Sequence, residues 1–184
     1  MDYDEAYETL TDSRHEGAYS SDPHDPGGET YKGVARKMNP SWAGWTLVDH
    51  HRADPAFPAC LDADAQLQLM VKDFYRVGFW GPACCDALPA SLRYEVFDFA
   101  VNTSAAGRPV TAIKALQRAL EVHDDGVVGP ATMLALTHAD QGRLMRRLVV
   151  QIIRYYTGLR PEVRDRYLAG WMNRLAANLE QELT

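Results

Sequence analysis

The stretch from His15 to Gly33, HEGAYSSDPHDPGGETYKG, constrains this chain more than any other. A helical pattern runs into it: Tyr3, Tyr7 and Leu10 recur at helical spacing, which predicts a short amphipathic helix over residues 3–14 leading to Glu16. Pro23, Pro26, Gly27 and Gly28 then prevent the helix from continuing, because proline lacks the amide donor and glycine admits unusual backbone angles. The loop crowds four carboxylates, Glu16, Asp22, Asp25 and Glu29, with the hydroxyls of Ser20 and Thr30, and leaves room for a small β-hairpin around Glu29 to Val34. Dense acidic loops otherwise mark a solvated surface or a calcium site. The flanking rings of Tyr19 and Tyr31 point instead to a cleft for a sugar.

Beyond the loop, periodicity predicts a mainly α chain of about seven helices. The text from Lys37 to Pro58 is irregular, interrupted by Pro40, Pro55 and Pro58. Asp62 reads as the N-cap of a helix through about Val77, with Leu67, Met70, Val71 and Phe74 inward. GFWGPACCDALP is a turn-rich connection, and SLRYEVFDFAVNTS after it is a strongly apolar helix. Glu95, Asp98 and Asn102 share one face of that helix by their three- and four-residue offsets. Such groups either meet water in a cleft or bond internally; Glu95 reads as the internal one, Asp98 and Asn102 as cleft residues. Ile113, Leu116 and Leu120 give a further helix, and Pro130 opens another at its favoured first position. Leu144, Leu148, Ile152 and Tyr155 define a long helix that stops at Gly158. Pro161 begins the last, with Leu168, Trp171, Leu175 and Leu179 as its stripe.

Charge is uneven. The net charge is −6, yet residues 1–60 hold 11 Asp/Glu against 5 Lys/Arg, and residues 141–184 hold 8 Arg against 4 Asp/Glu. A basic helix pair suits an anionic polymer as well as it suits a solvated face, and no nucleic-acid motif accompanies it. No apolar run reaches the roughly 18 residues of a membrane span. The acidic start MDYDEAYETLTD is the reverse of a secretory signal, so the expectation is synthesis in the cytoplasm without a cleavable leader. Cys60, Cys84 and Cys85 are odd in number and lack metal spacing, so reduced thiols are expected. His15, His24, His50 and His51 invite a metal reading, but His50 and His51 point apart in regular structure and no HExxH helix exists. No metal or other cofactor is expected.

HEGAYSSDPHDPGGETYKGV resembles the signature of glycoside hydrolase family 108, the bacterial and phage N-acetylmuramidases with a Glu-Gly-Gly-Tyr motif. FYRVGFWGPACCDALPASLRYEVFDFAVNTS is similar to that family's Tyr-Trp-Asp segment and Phe-Asp-x-Ala-Val-Asn helix. AIKALQRAL, DGVVGPATMLAL and YLAGWMNRL resemble the associated C-terminal peptidoglycan-binding region. The resemblance implies a lysozyme-like helical fold with a small β-hairpin near the site. It also implies a catalytic part over 1–88, with a helical peptidoglycan-binding region over 89–184 packed against it. Two positions depart from the pattern: Ala18 stands for the second glycine, and Tyr31-Lys32 for the usual Asn plus aromatic.

Carried over residue by residue, the resemblance makes Glu16 the catalytic acid and matches Tyr19 to the motif tyrosine. Glu16, Asp25 and Thr30 also resemble the Glu-Asp-Thr order of phage-type lysozymes. Glycoside cleavage needs an acid for the leaving oxygen and a second group for the oxocarbenium-like transition state, which Asp25 or its rival Asp22 could supply. A carboxylate separation of roughly 6.5–9.5 Å implies inversion and roughly 5–5.5 Å retention. Tyr19, Asp22, Tyr31, Tyr75, Trp80, Asp98 and Asn102 are the candidate substrate contacts. A peptidoglycan-binding protein whose site has decayed, or a lytic transglycosylase, would carry much the same text. The expected partner is the peptidoglycan glycan strand, reached in the periplasm or cell wall. A holin or secretion apparatus would serve for delivery, and an immunity protein would accompany a toxin-type effector.

Overall fold

The structure is a computed structural model and describes residues 1–12, 19–22, 27–104 and 107–181. Eight α-helices and a three-stranded antiparallel sheet are formed among them. Two compact units divide between Pro82 and Ala83: one is built on Tyr3–Pro82, the other on Ala83–Ser104 and the chain from Pro109 onward.

In the first unit, α1 (Tyr3–Asp12) buries Tyr3, Ala6 and Leu10 along one stripe, and the Tyr3 hydroxyl donates to the Lys72 carbonyl. The sheet comprises β1 (Tyr19–Ser20), β2 (Thr30–Tyr31) and β3 (Val34–Ala35), with Tyr19 opposite Tyr31 and Tyr31 opposite Val34. Only Lys32 and Gly33 join β2 to β3, and both take positive φ, 43° and 81°. That is the primed turn whose twist suits adjacent strands, and it explains the glycine.

The irregular text after Lys37 contains a helix that periodicity did not reveal, α2 (Gly44–His51), burying Trp45 and Val48. Asp64, rather than Asp62, caps the next helix: its carboxylate accepts from the Leu67 amide at 3.0 Å. The correction follows from a 3₁₀ turn over Ala59–Ala63, which takes up Asp62. The helix itself, α3 (Ala65–Tyr75), buries Leu67, Val71 and Tyr75 at four-residue intervals. Its end widens into a π turn over Arg76–Trp80 that buries Phe79 and Trp80.

The second unit is organised on α4 (Ala90–Thr103). Eight of its fourteen residues are buried, including Leu92, Phe97 and Phe99. A helix apolar on nearly every side must lie inside a bundle. It packs on α5 (Val110–Ala119) and α7 (Gln141–Thr157), and α7 in turn meets α8 (Pro161–Gln181). Asp140 caps α7 by accepting from the Arg143 amide at 2.7 Å, and Leu144, Leu148, Ile152 and Tyr156 form its inward stripe. Trp171 of α8 stacks on Tyr156, ring centroids 4.6 Å apart.

Between α5 and α6 (Pro130–His138), buried Gln117 holds the Asp125–Gly129 turn. Its amide nitrogen donates to Asp125, to the Val127 carbonyl and to Thr132, and its oxygen accepts from the Gly126 amide at 2.8 Å. Gly126 has φ 80°, so the turn needs glycine there. No helix among the described residues is long and apolar enough to cross a membrane.

A chain ending at Thr103 would keep α4 and lose the helices that cover it. It should expose a contiguous apolar face, aggregate, and bind hydrophobic dye; sedimentation and dye fluorescence measure this.

Candidate active site

Glu16 and Asp25 lie outside the described residues, as does Ala18; in sequence Glu16 stands before β1 and Asp25 between β1 and β2. The described part of the site is the sheet and what fixes it. Thr30 on β2 faces Ser20 across the ladder, and its hydroxyl donates to the Gly28 carbonyl at 3.1 Å. With its only proton so committed, the Thr30 oxygen can act toward a water only as acceptor. Tyr19 is half-buried, edge-on to Phe57 with centroids 4.8 Å apart, and its hydroxyl donates to Glu29 at 2.9 Å. Burial and the neighbouring Glu29 push the Tyr19 phenol up. Asp22 is exposed at the start of the β1–β2 connection.

Glu29 is the fixed point of this region. Its side chain is only 12% exposed, and Arg36 and Arg52 hold one oxygen each at 2.6 and 2.5 Å. Both guanidiniums also reach Asp49 of α2, Arg36 with two nitrogens at 3.0 and 2.6 Å and Arg52 at 3.0 Å. Arg36 lies over the Trp45 ring, 4.3 Å from its centroid. Alternating charge of this kind is cooperative, since each member satisfies two partners. The hydrogen bonds from Arg36, then those from Arg52, hold the Asp49 carboxyl below the usual carboxylate range.

Three aromatics read from the sequence as substrate contacts are placed in the core. Tyr31, Trp80 and Tyr75 are 0%, 0% and 2% exposed, which leaves no ring face for a sugar. The Tyr31 hydroxyl shares its proton between the Leu61 carbonyl and Asp62, both at 3.2 Å, and accepts from Gln68 at 2.8 Å. Tyr75 donates to the Lys32 carbonyl at 2.8 Å. Lys32 is drawn into the same group, its ammonium 2.6 Å from Gln68 and 3.2 Å from Asp62. These residues secure the hairpin to α3.

Asp98 and Asn102 belong to the second unit, where they meet α8 with Glu95. Asn178 donates to Glu95 at 3.1 Å and to Asp98 at 3.3 Å. Arg174 donates to the Asn102 oxygen at 2.5 Å, while the Asn102 amide donates to Asp98 at 3.1 Å. Burial of two carboxylates is tolerable only with such donors. These contacts supply a bonding role for all three polar residues.

One group among the described residues offers metal-ligand chemistry: His51, Asp54 and Cys60, whose donor atoms lie within 4.8 Å of one another. The His51 ring is engaged with Asp64 at 2.8 Å, which depresses the Asp64 carboxyl. The pair ties the end of α2 to the cap of α3.

Residues 12–103 match the family described as Glycosyl hydrolase 108. Residues 111–176 match the domain described as Predicted Peptidoglycan domain. Among solved structures, SagA of Brucella abortus is 25% identical, with 98% of this chain and 93% of that chain covered at a TM-score of 0.70. No curated protein matches this chain. The mainly helical, lysozyme-like fold with a small antiparallel sheet, expected from the sequence resemblance, is the fold observed.

Two measurements follow from these networks. The depressed Asp49 carboxyl contributes stability that is complete above its unfolded value, about 3.9, and is lost as pH falls through the lower folded value. Asp49→Asn should therefore lower the urea midpoint at pH 7 and flatten its decline toward pH 2. In the second unit, Asn102→Ala leaves Arg174 and Asp98 short of a partner. It should cost roughly 1–3 kcal/mol in urea unfolding while the folded fraction turns over substrate normally. Lost turnover at unchanged stability would instead assign Asn102 to the cleft.

Proposed function

This chain belongs to the glycosyl hydrolase 108 family, and from that membership we propose that it is an N-acetylmuramidase. It cleaves the β-1,4 bond between N-acetylmuramic acid and N-acetylglucosamine. The two family matches together make it a glycoside hydrolase acting on peptidoglycan. One observation supports the muramidase activity: the Glu-Gly-x-Tyr sequence at Glu16–Tyr19 lies inside the matched segment.

In this reading Glu16 is the general acid and gives its proton to the glycosidic oxygen as the bond to the anomeric carbon breaks. Asp25, with Asp22 as its rival, is the carboxylate that stabilises the oxocarbenium-like centre or takes a proton from the attacking water. The water's remaining hydrogen points at Thr30, an acceptor because its own proton is held by Gly28. Water then supplies hydroxyl to the muramic acid carbon, and its proton restores the acid–base pair. Tyr19 supports the approach to this site, held by Glu29 on one side and Phe57 on the other. A holin, a secretion aid or an effector route would deliver it to the cell wall.

Digestion of purified peptidoglycan, with mass analysis of the fragments, tests the reading. New reducing ends are expected; anhydromuramyl ends would make the protein a lytic transglycosylase, and neither product would leave a binder. Glu16→Gln keeps the size and removes the proton donor, so turnover should fall by orders of magnitude with the fold intact. Activity within about tenfold of the parent, about 1.4 kcal/mol in barrier, would remove Glu16 from its role. Asp25→Asn should cost more than Asp22→Asn, and the reverse ranking transfers the role to Asp22.

A further inference from the structure

We propose that the arginine-lined cavity between α5 and α7 binds the free carboxylates of peptidoglycan stem peptides. The inference deepens the peptidoglycan reading above and rests on it. The cavity, of about 480 Å³, is lined by Arg118, Arg143, Arg146, Arg147 and Arg154, with Glu121 as its carboxylate. Five guanidiniums against one carboxylate is a strong positive field in one concave place.

Helix geometry produces it. Positions 143, 146, 147 and 154 fall on one side of α7, while Leu144, Leu148, Ile152 and Tyr156 hold the other side in the core. Two of the five are already paired, Arg118 with Asp124 at 2.6 Å and Arg147 with Glu121 at 2.8 Å. Arg143, Arg146 and Arg154 are exposed and have no ion pair among the described residues. Like charges three and four residues apart on a helix repel one another, and a bound anion relieves that repulsion.

The cavity itself shows how an anion is held. Glu121 takes both of its oxygens to Arg147, at 2.9 and 2.8 Å, the two-pronged arrangement in which a guanidinium matches a carboxylate. Arg147 first, then Arg143, hold the Glu121 carboxyl below its ordinary value. A carboxylate entering beside Arg143, Arg146 and Arg154 meets the same chemistry with the donors uncommitted.

The ligand class follows from the polymer. All the lining residues lie within the 111–176 segment that matches a peptidoglycan domain. The sugars of that polymer are neutral where stems are attached, and its negative charges are the stem carboxylates. A site for the glycan alone would need hydroxyl and amide partners with aromatic faces, and this lining offers none of the last.

The test is cosedimentation of the full chain with intact sacculi, and with sacculi whose stem carboxylates are capped as amides by carbodiimide and ammonia, on ice to suppress digestion. Binding should fall at least tenfold on capping. The soluble tripeptide L-alanyl-γ-D-glutamyl-diaminopimelate should compete with intact sacculi. A triple change, Arg143→Gln with Arg146→Gln and Arg154→Gln, should lose binding to the same extent, while Arg166→Gln at an exposed position of α8 should not. The competition uses the unaltered protein and holds even if the triple variant folds poorly. Equal binding to capped sacculi, or competition by polyphosphate or phosphatidylglycerol vesicles but not by the tripeptide, overturns the proposal. Release of reducing ends from intact sacculi at 37 °C reports on glycan cleavage separately. Stem binding without such release would sink the muramidase reading and keep the cavity, and the converse would sink the cavity alone.

Discussion

The Glu29 carboxylate, almost out of water and gripped by two arginines, is the interaction on which the first unit depends. A lone ionised group at that depth would be costly, and the pairing of each oxygen with its own guanidinium offsets the cost. Because both arginines also bond Asp49 on α2, the end of the loop entering β2 is referenced to a helix rather than to another loop. Tyr19 takes its orientation from the same carboxylate. The opposite side of the hairpin is referenced to α3 through Tyr31, Lys32 and Gln68. A carboxylate loop between β1 and β2 therefore springs from a base fixed on two sides.

The second unit solves a different problem. Its central helix is apolar on nearly every side, and apolar contact alone does not fix the rotation of a helix. Glu95, Asp98 and Asn102 supply direction, because their bonds to Asn178 and Arg174 of α8 form at one rotation of the helix. Gln117 does similar work for the turn before α6, binding donors and acceptors on both of its ends.

Long elements with a clear stripe were legible in the sequence, and so were those opened by proline. The helices beginning at Pro130 and Pro161, and the one ending at Gly158, fall where the text puts them. The hairpin was legible because Lys32-Gly33 lies between β-forming residues. Helix α2 was not, since it is short, has no side-chain cap at Ala43 and buries only Gly44, Trp45 and Val48. Aromatic residues near an acidic loop look alike whether they face a cleft or a core, and only packing separates Tyr19 from Tyr31, Tyr75 and Trp80. Glu29 was visible as one more acidic residue. Its special position depends on Arg36 and Arg52, whose distance in sequence hides the pairing. Gln117 carried no signal at all, because a single glutamine in an amphipathic helix is ordinary. Glu16, and Asp25 with its rival Asp22, are singled out by resemblance alone, and the first two lie outside the described residues.

The thiols carry a consequence of their own. All three cysteines are free, and Cys85 is fully buried, with desolvation holding its thiol far up from the ordinary value. Burial and the Asp54 charge raise Cys60 as well. Exchange and oxidation proceed through the thiolate, so at neutral pH these two sulfurs are poor nucleophiles. The fold takes no covalent cross-link from the three cysteines, so a reductant finds no bond in it to break.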